Sequence, residues 1–406
     1  MRIRSTMTRS AVRSAVLAVA AVAVLAGCST VSGTPLAAEI DVRELDTGSY
    51  PTIPLDMRIE YVNSLRAGTE FAIMRLADNV ISGLDVDPKM KYNRGIKGFD
   101  NPRAATELLA DVNGPVLERH KFMFGLGLTS ADRAKQESKT AGEVSLTLAV
   151  LQFPDEQTAK AAARDLDQAD FDVARDQNKP VQLNDYPDAH SHWRPGIPSL
   201  GSSMAVGSYV MSMLVTWTSP DLDSLTALAE KTYAAQIPLL EQLPPLSKRE
   251  ALELPYDPDQ MFKRALTPED YFFSPSLGST AVHTPRGILH WAAEPGPSKK
   301  AMEEHGVDRI AMTEDNLLWR TRDAAAAKGF AETRLTESKW TPLDAPEDVP
   351  GVRCAEDSRE YDGSDTRYGC VVFYDKYVAQ VHSGQPVDVR QRAAAQYALL
   401  ANAQYQ

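Results

Sequence analysis

Hydrophobic and polar positions follow two rhythms along this chain. Apolar residues recur at helical spacing within Met57–Ile81, at Val62, Leu65, Ile73, Leu76 and Val80, and the pattern stops at Gly83. Asn101-Pro102 joins a capping residue to a proline suited to a first helical turn. A second helix is therefore expected through Ala105, Leu108, Leu109 and Val112, ending at Gly114-Pro115. Between Glu143 and Phe153 the period drops to two, with Val144, Leu146, Leu148 and Val150 on one side, which predicts a strand. Phe153-Pro154-Asp155 breaks it and opens an alanine-rich helix with Ala159, Ala162, Ala163 and Leu166 inward. Ser203–Trp217 reads as a hairpin turning at Gly207-Ser208, its return strand alternating through Tyr209, Met211, Met213, Val215 and Trp217. Ser219-Pro220 then opens a helix carrying Leu225, Leu228, Ala229 and Thr232.

Proline crowds the stretch from Glu241 to Pro258, which marks a boundary, and beyond it the pattern partly recurs. Val307–Met312 is a short apolar run ahead of a helix expected through Leu317, Leu318 and the alanines at 324–327. Gly369–Val381 reads as a second hairpin, and Pro386 starts a last helix with Val389, Ala393, Tyr397 and Leu400. The two hairpins match at a constant offset of 168 positions: Gly201 with Gly369, Gly207-Ser208 with Asp375-Lys376, and Tyr209-Val210 with Tyr377-Val378. Each leads to a helix with a late tyrosine, Tyr233 and Tyr397. The expected class is α+β, in two similar domains, each an antiparallel sheet with helices packed on one face.

Ahead of these elements, Arg2, Arg4, Arg9 and Arg13 precede a run of alanine, valine and leucine from Ser14 to Leu25. That is the charged and apolar order of a secretory leader, and the run is shorter than the roughly twenty residues that span a bilayer. Leu25-Ala26-Gly27-Cys28 resembles the bacterial lipobox, with cleavage between Gly27 and Cys28 and acylation of the Cys28 thiol. The membrane is thus an expected partner, through a lipid anchor on its extracytoplasmic face. The chain divides into a leader (1–27), an anchor, tether and lead-in (28–56), an N-terminal domain (57–242), a proline-rich linker (243–258) and a C-terminal domain (259–406).

Charge and cysteines narrow the picture. The chain carries −12, and removal of the four leader arginines would leave the remaining 379 residues near −16, which disfavours nucleic acid as a partner. Once Cys28 is spent on lipid, Cys354 and Cys370 remain in a disulfide-permissive context and are expected to pair. The segment they enclose is polar, with Glu356, Asp357, Glu360, Asp362 and Asp365, and reads as solvated charge rather than a calcium loop.

Catalytic signatures do not appear. There is no G-x-S-x-G elbow, no H-E-x-x-H, no P-loop and no EF-hand loop, and Gly201-Ser202-Ser203 lacks the second glycine of an elbow. Gly125-Leu126-Gly127 lacks the third glycine of a dinucleotide fingerprint and reads as a bend. His190 and His192 form an H-x-H pair in an expected loop beside Trp193, but no third metal ligand stands nearby. No metal or cofactor is expected, and the methionine-rich first hairpin reads as core rather than as a ligand groove.

The lipobox, Thr34-Pro35 and the run Leu45-Asp46-Thr47-Gly48-Ser49-Tyr50-Pro51-Thr52-Ile53-Pro54 together resemble the opening of a family of actinobacterial secreted lipoproteins of mycobacterial and nocardial type. Gly306-Val307-Asp308, and the Cys354/Cys370 pair with its closing tyrosine-leucine helix, are similar to later parts of the same family. The resemblance implies an extracytoplasmic address, a two-part layout and a disulfide. That family has no assigned function or catalytic residues, so it implies no chemistry. The expected role is a non-catalytic envelope module that binds a ligand or another envelope protein. Two further roles stay open: a carrier of a lipid or glycolipid in an enclosed apolar cavity, and an envelope hydrolase with converging carboxylates or histidines in a cleft.

Overall fold

Two seven-stranded antiparallel sheets organise the computed structural model, one in each half of the chain. The residues described are 40–54, 63–134, 142–267, 274–314, 316–336, 339–358 and 366–404. The expected leader, the cleavage site at Gly27 and Cys28, and the tether lie outside them. The chain divides into a unit of residues 1–41, of which only Ile40 and Asp41 are described, and a compact unit of residues 42–406.

In the first half, α1 (Leu65–Ala77) and α2 (Gly83–Val86) precede β1 (Tyr92–Phe99), and α3 (Pro102–Ala105) and α4 (Gly114–Arg119) lead to β2 (Phe124–Ala131). Next come β3 (Ser145–Gln152), α5 (Glu156–Asp172), β4 (Lys179–Val181), β5 (His190–Trp193), β6 (Ser199–Val206), β7 (Tyr209–Thr216) and α6 (Leu222–Glu241). Side by side the strands run β1-β2-β3-β7-β6-β5-β4. After α7 (Lys248–Leu252) the second half retraces this course. It runs through β8 (Thr280–His283), α8 (Pro285–Leu289), α9 (Pro295–His305), β9 (Arg309–Thr313), β10 (Asn316–Arg320) and α10 (Ala324–Glu332). It closes with β11 (Trp340–Leu343), β12 (Arg353–Asp357), β13 (Tyr368–Tyr374), β14 (Tyr377–Ser383) and α11 (Pro386–Ala403). The spatial order is β8-β9-β10-β14-β13-β12-β11, strand for strand that of the first sheet.

Register repeats as well as order. Gln152 faces Tyr209 between β3 and β7, and Arg320 faces Tyr377 between β10 and β14, each residue 168 positions after its counterpart. The same offset relates Val206–Tyr209 to Tyr374–Tyr377 across the two hairpin turns. It also relates the N-caps of α5 and α10, where Asp155 accepts from the Thr158 N–H and Asp323 from the Ala326 N–H. Both sheets end on a short strand containing proline, Pro180 in β4 and Pro342 in β11. A proline there withholds an N–H and blunts the edge against further pairing.

The antiparallel sheets and the α+β class agree with the sequence, but the helices lie on both faces of each sheet, not on one. Leu146, Leu148, Val150, Met211 and Met213 pack with Leu225, Leu228 and Tyr233 of α6. On the other face Ala149, Leu151 and Val210 pack with Ala159, Ala162, Ala163 and Leu166 of α5. In the second sheet Val371 and Val378 face α10, while Ala379 faces the side of Leu400 on α11. The physical reason is that β3 and β7 are apolar on both sides, so one covered face would have left Leu151 and Val210 in water.

Several element boundaries also shift. The first helix begins at Leu65 and ends at Ala77, and Gly83 starts α2 instead of closing the helix before it. Gly114-Pro115 opens α4 because proline is well placed in a first turn. Leu317 and Leu318 lie in strand β10, and Gly125-Leu126-Gly127 lies in strand β2 rather than at a bend. A Cβ at Gly127 would come within 2.2 Å of Leu108 and 2.6 Å of Phe99, so glycine there makes room for two large side chains.

The two halves share one core. Phe71, Ile73, Met74 and Leu76 of α1 lie in the same cluster as Leu126 and Leu128 of the first sheet and Ala281, Val282, Ala311 and Met312 of the second. The lead-in of residues 42–54 lies on α11: the Gln391 side-chain amide donates to Asp46, the Tyr50 hydroxyl donates to Asp388 (2.5 Å), and Asn402 donates to the Thr52 carbonyl (2.7 Å).

Candidate functional site

A cavity of about 590 Å³ opens beside the first sheet where β1 ends and β2 begins. Its floor is Phe122, Met123 and Phe124, with Leu65 and Thr69 of α1 on one side and Ala251 of α7 on the other. Asp100, Lys121, Ser247 and Lys248 stand at the rim.

Each of these side chains is placed by local physics. Lys121 takes a positive φ of 55° that turns the chain out of α4, and Phe122 then packs edge-on against Phe153 at 6.1 Å. Gln152, fully buried, donates its amide to the Leu246 carbonyl (2.7 Å) and accepts from the Leu246 N–H (3.0 Å), which pins the segment before α7 to the sheet. Ser247 and Glu250 then form a reciprocal capping box, so Lys248 sits in the first turn of α7. α1 and α7 pack so closely that a Cβ at Gly68 would lie 2.5 Å from the Ala251 carbonyl oxygen. Among the described residues neither Lys121 nor Lys248 forms an ion pair within 4 Å, and both are exposed. Glu70, the next residue of α1, is half-buried, and desolvation raises its carboxyl pKa.

A second cavity, about 300 Å³, lies on the other side of the same two helices, at the seam between the halves. Phe71, Met74, Arg75 and Asp78 contribute from the first half, Leu254, Pro255, Tyr256 and Pro258 from the chain after α7, and His283, Thr284 and Arg309 from the second. Asp78 accepts from the Thr284 N–H (2.9 Å) and lies 3.5 Å from His283 Nδ1. His283 is fully buried, and neither ring nitrogen is hydrogen-bonded. Nearby, His290 Nε2 donates to the Ala77 carbonyl (3.1 Å), and burial pushes its pKa down to about 4. Arg286 pairs with Asp85 across the seam (3.1 Å).

Of the residues singled out in the sequence, Gly27 and Cys28 fall outside the described part. Cys354 and Cys370 are disulfide-bonded and face each other across β12 and β13. His190 and His192 stand on strand β5 rather than in a loop, and His192 Nδ1 pairs with Asp167 at 2.7 Å. The neighbouring Asp170 is held above its ordinary pKa by burial, with Asn113 donating to it. Among the described residues no three His, Cys, Asp or Glu side chains gather at metal-binding spacing. The first hairpin's Met204, Tyr209, Met211 and Met213 are buried in the core. Of the enclosed acidic segment, Glu356 pairs with Arg367, while Glu360, Asp362 and Asp365 lie outside the described residues. Sequence reading missed Lys121, Lys248, Asp78 and His283: none belongs to a motif, and only the fold joins residues so far apart in the chain. Lys121 followed by Phe122-Met123-Phe124 was the one local signal.

Among the described residues no helix is long and apolar enough to cross a membrane. No curated protein matches the chain. Among solved structures, the extracellular domain of PknH from Mycobacterium tuberculosis overlaps 42% of this chain and 95% of its own, at 10% identity and a TM-score of 0.29. That overlap is too loose to transfer anything. Family models describe nearly all of the two-sheet body: residues 59–256 match the N-terminal and residues 261–403 the C-terminal part of a domain of unknown function, DUF7373. The chain therefore belongs to the DUF7373 family, whose two parts correspond to the two sheets.

Proposed function

We propose that this protein is a non-catalytic binding module of the bacterial envelope, held at the outer face of the membrane by lipid on Cys28. Its first cleft takes a small ligand with an apolar body and an anionic group. The observation that carries this reading is the cavity of about 590 Å³ with an aromatic floor and two exposed lysines at its rim, on a chain of net charge −12. Apolar clefts with a few convergent polar groups are the usual form of small-molecule sites. The address rests on the leader and lipobox and is supported by the Cys354–Cys370 disulfide, a bond that persists in oxidising compartments.

A lipid carrier would need an enclosed apolar cavity, whereas this cleft is open and has a polar rim. A hydrolase would need acid or base groups converging in the cleft. Of the carboxyls whose pKa values burial raises, Glu70 stands next to Thr69 without lining the cleft, and Asp170 and Asp257 lie elsewhere, with Asp257 capped by the Phe262 and Lys263 N–H groups.

Native mass spectrometry of protein taken from its own membrane tests the proposal. The expected result is an acylated Cys28 and a co-purified anionic molecule that is lost in Lys121→Glu/Lys248→Glu. Unmodified Cys28 would remove the anchor from the proposal, and retention of the molecule by the double variant would remove the cleft.

A further inference from the structure

We propose that the cavity at the seam is a second binding site for the same class of ligand, a small molecule with an apolar body and an anionic group. This inference rests on the reading of the first cleft.

The duplication places the two cavities at corresponding corners of the two sheets. The first is lined by the residue after β1, Asp100, and by the entry to β2, Lys121 to Phe124. The second is lined by the end of β8 and the residue after it, His283 and Thr284, and by the entry to β9, Arg309. β1 corresponds to β8 and β2 to β9 in the shared strand order. Both cavities share one partition, α1 with α7 and the chain that follows it: Leu65, Thr69 and Ala251 face the first, Phe71, Met74 and Tyr256 the second.

The chemistry corresponds too. Each cavity joins aromatic rings to two cations and one carboxylate, Phe122 and Phe124 with Lys121, Lys248 and Asp100, then Phe71 and Tyr256 with Arg75, Arg309 and Asp78, so the cations outnumber the carboxylate in both. Arg75 donates to the Pro244 carbonyl and to the Tyr209 hydroxyl, and Arg309 pairs with Asp259 and donates to the Asp308 carbonyl. A guanidinium carries five N–H donors, so each keeps donors for an incoming anion. Beside them His283 is wholly buried: its Nδ1 lies 3.5 Å from Asp78, and neither ring nitrogen is hydrogen-bonded within the described protein. A ligand atom reaching His283 after a small shift of its neighbours would supply the missing bond. Seams between domains are a preferred place for such sites.

The test uses 1-anilinonaphthalene-8-sulfonate, an anionic aromatic probe, and the full-length protein. Calorimetric titration is expected to give two sites per chain, reduced to one by Lys121→Glu/Lys248→Glu and to the other one by Arg75→Ala/Arg309→Ala. An azido analogue of the probe, photo-crosslinked to the unmodified protein and mapped by peptide mass, should mark Tyr256 or its neighbours as well as Phe122. This arm does not depend on the arginine variant folding. A single site, labelled at Phe122 alone, overturns the second site and leaves the first. A single site labelled at Tyr256 alone overturns the first reading and keeps the seam. Absence of any saturable site overturns both.

Discussion

Two buried glutamines hold the two halves in matching ways. Gln236 of α6 accepts from the Ile81 N–H (2.9 Å) and donates to the Asn79 carbonyl (2.8 Å), while Gln396 of α11 accepts from the Leu266 N–H (2.8 Å) and donates to the Arg264 carbonyl (2.7 Å). Each thus fastens the segment entering a half to the helix that ends it. Replacing either by leucine strands one buried N–H, at about 1–3 kcal/mol, and a half-buried C=O that costs less. Urea unfolding of Gln236→Leu and Gln396→Leu should show losses of similar size; a loss below about 0.5 kcal/mol in either would refute the shared role. His290 adds a pH dependence at the seam. Burial opposes its protonation most, its bond to the Ala77 carbonyl favours it, and beyond these the charge of Arg286 opposes and that of Asp85 favours it. Its pKa falls from 6.5 to about 4 on folding. Between those values the unfolded chain binds the proton and the folded one does not. Stability is therefore full above pH 6.5 and falls by about 3 kcal/mol as the pH drops to 4. Urea midpoints of the unmodified protein and His290→Gln, compared at pH 7.5 and 4.5, should diverge, the variant being the less sensitive to acid. Equal acid sensitivity would show that other groups carry the effect.

At the scale of elements, long periodic segments were legible and short or glycine-rich ones were not. The hairpins of β6-β7 and β13-β14, helices α5, α6 and α11, and the 168-residue offset all follow from alternation, proline placement and turn residues. β2 was hidden because Gly125 and Gly127 yield their volume to Leu151, Leu108 and Phe99, which removes the apolar rhythm that announces a strand. β10 resembles helix in the sequence because five residues hold too few turns to separate a period of two from one of 3.6. The clefts were illegible for another reason: their walls come from three or more separate elements, and periodicity carries no information about which ends meet. The disulfide was legible through compartment and spacing, and it ties β12 to β13 near the outer edge of the second sheet. Replacing both cysteines by alanine should cost about 3 kcal/mol in the chain-entropy model. Hydrogen exchange should then quicken in β11 and β12 and stay unchanged in β1 to β3; uniform quickening would mean the bond supports the whole body instead.

For the whole molecule, the shared core decides how the halves behave. Helix α1 lies between the sheets, and a Cβ at Gly98 of the first half would touch both Ile73 and Leu277, so removing the second half uncovers apolar surface on the first. Residues 59–256 alone are expected to lose near-ultraviolet circular dichroism and to aggregate, and the full chain to unfold in one calorimetric transition. Two resolved transitions would show halves of separate stability. The lead-in adds a mechanical consequence. Because Asp46, Tyr50 and Thr52 of the lead-in are fastened along α11, a pull applied ahead of them reaches the last helix before it reaches any part of the first sheet. Were the amino end anchored as proposed, tension would first be borne by Asp388, Gln391 and Asn402, so the load would enter the body at its last helix and not at the lysine-rimmed opening.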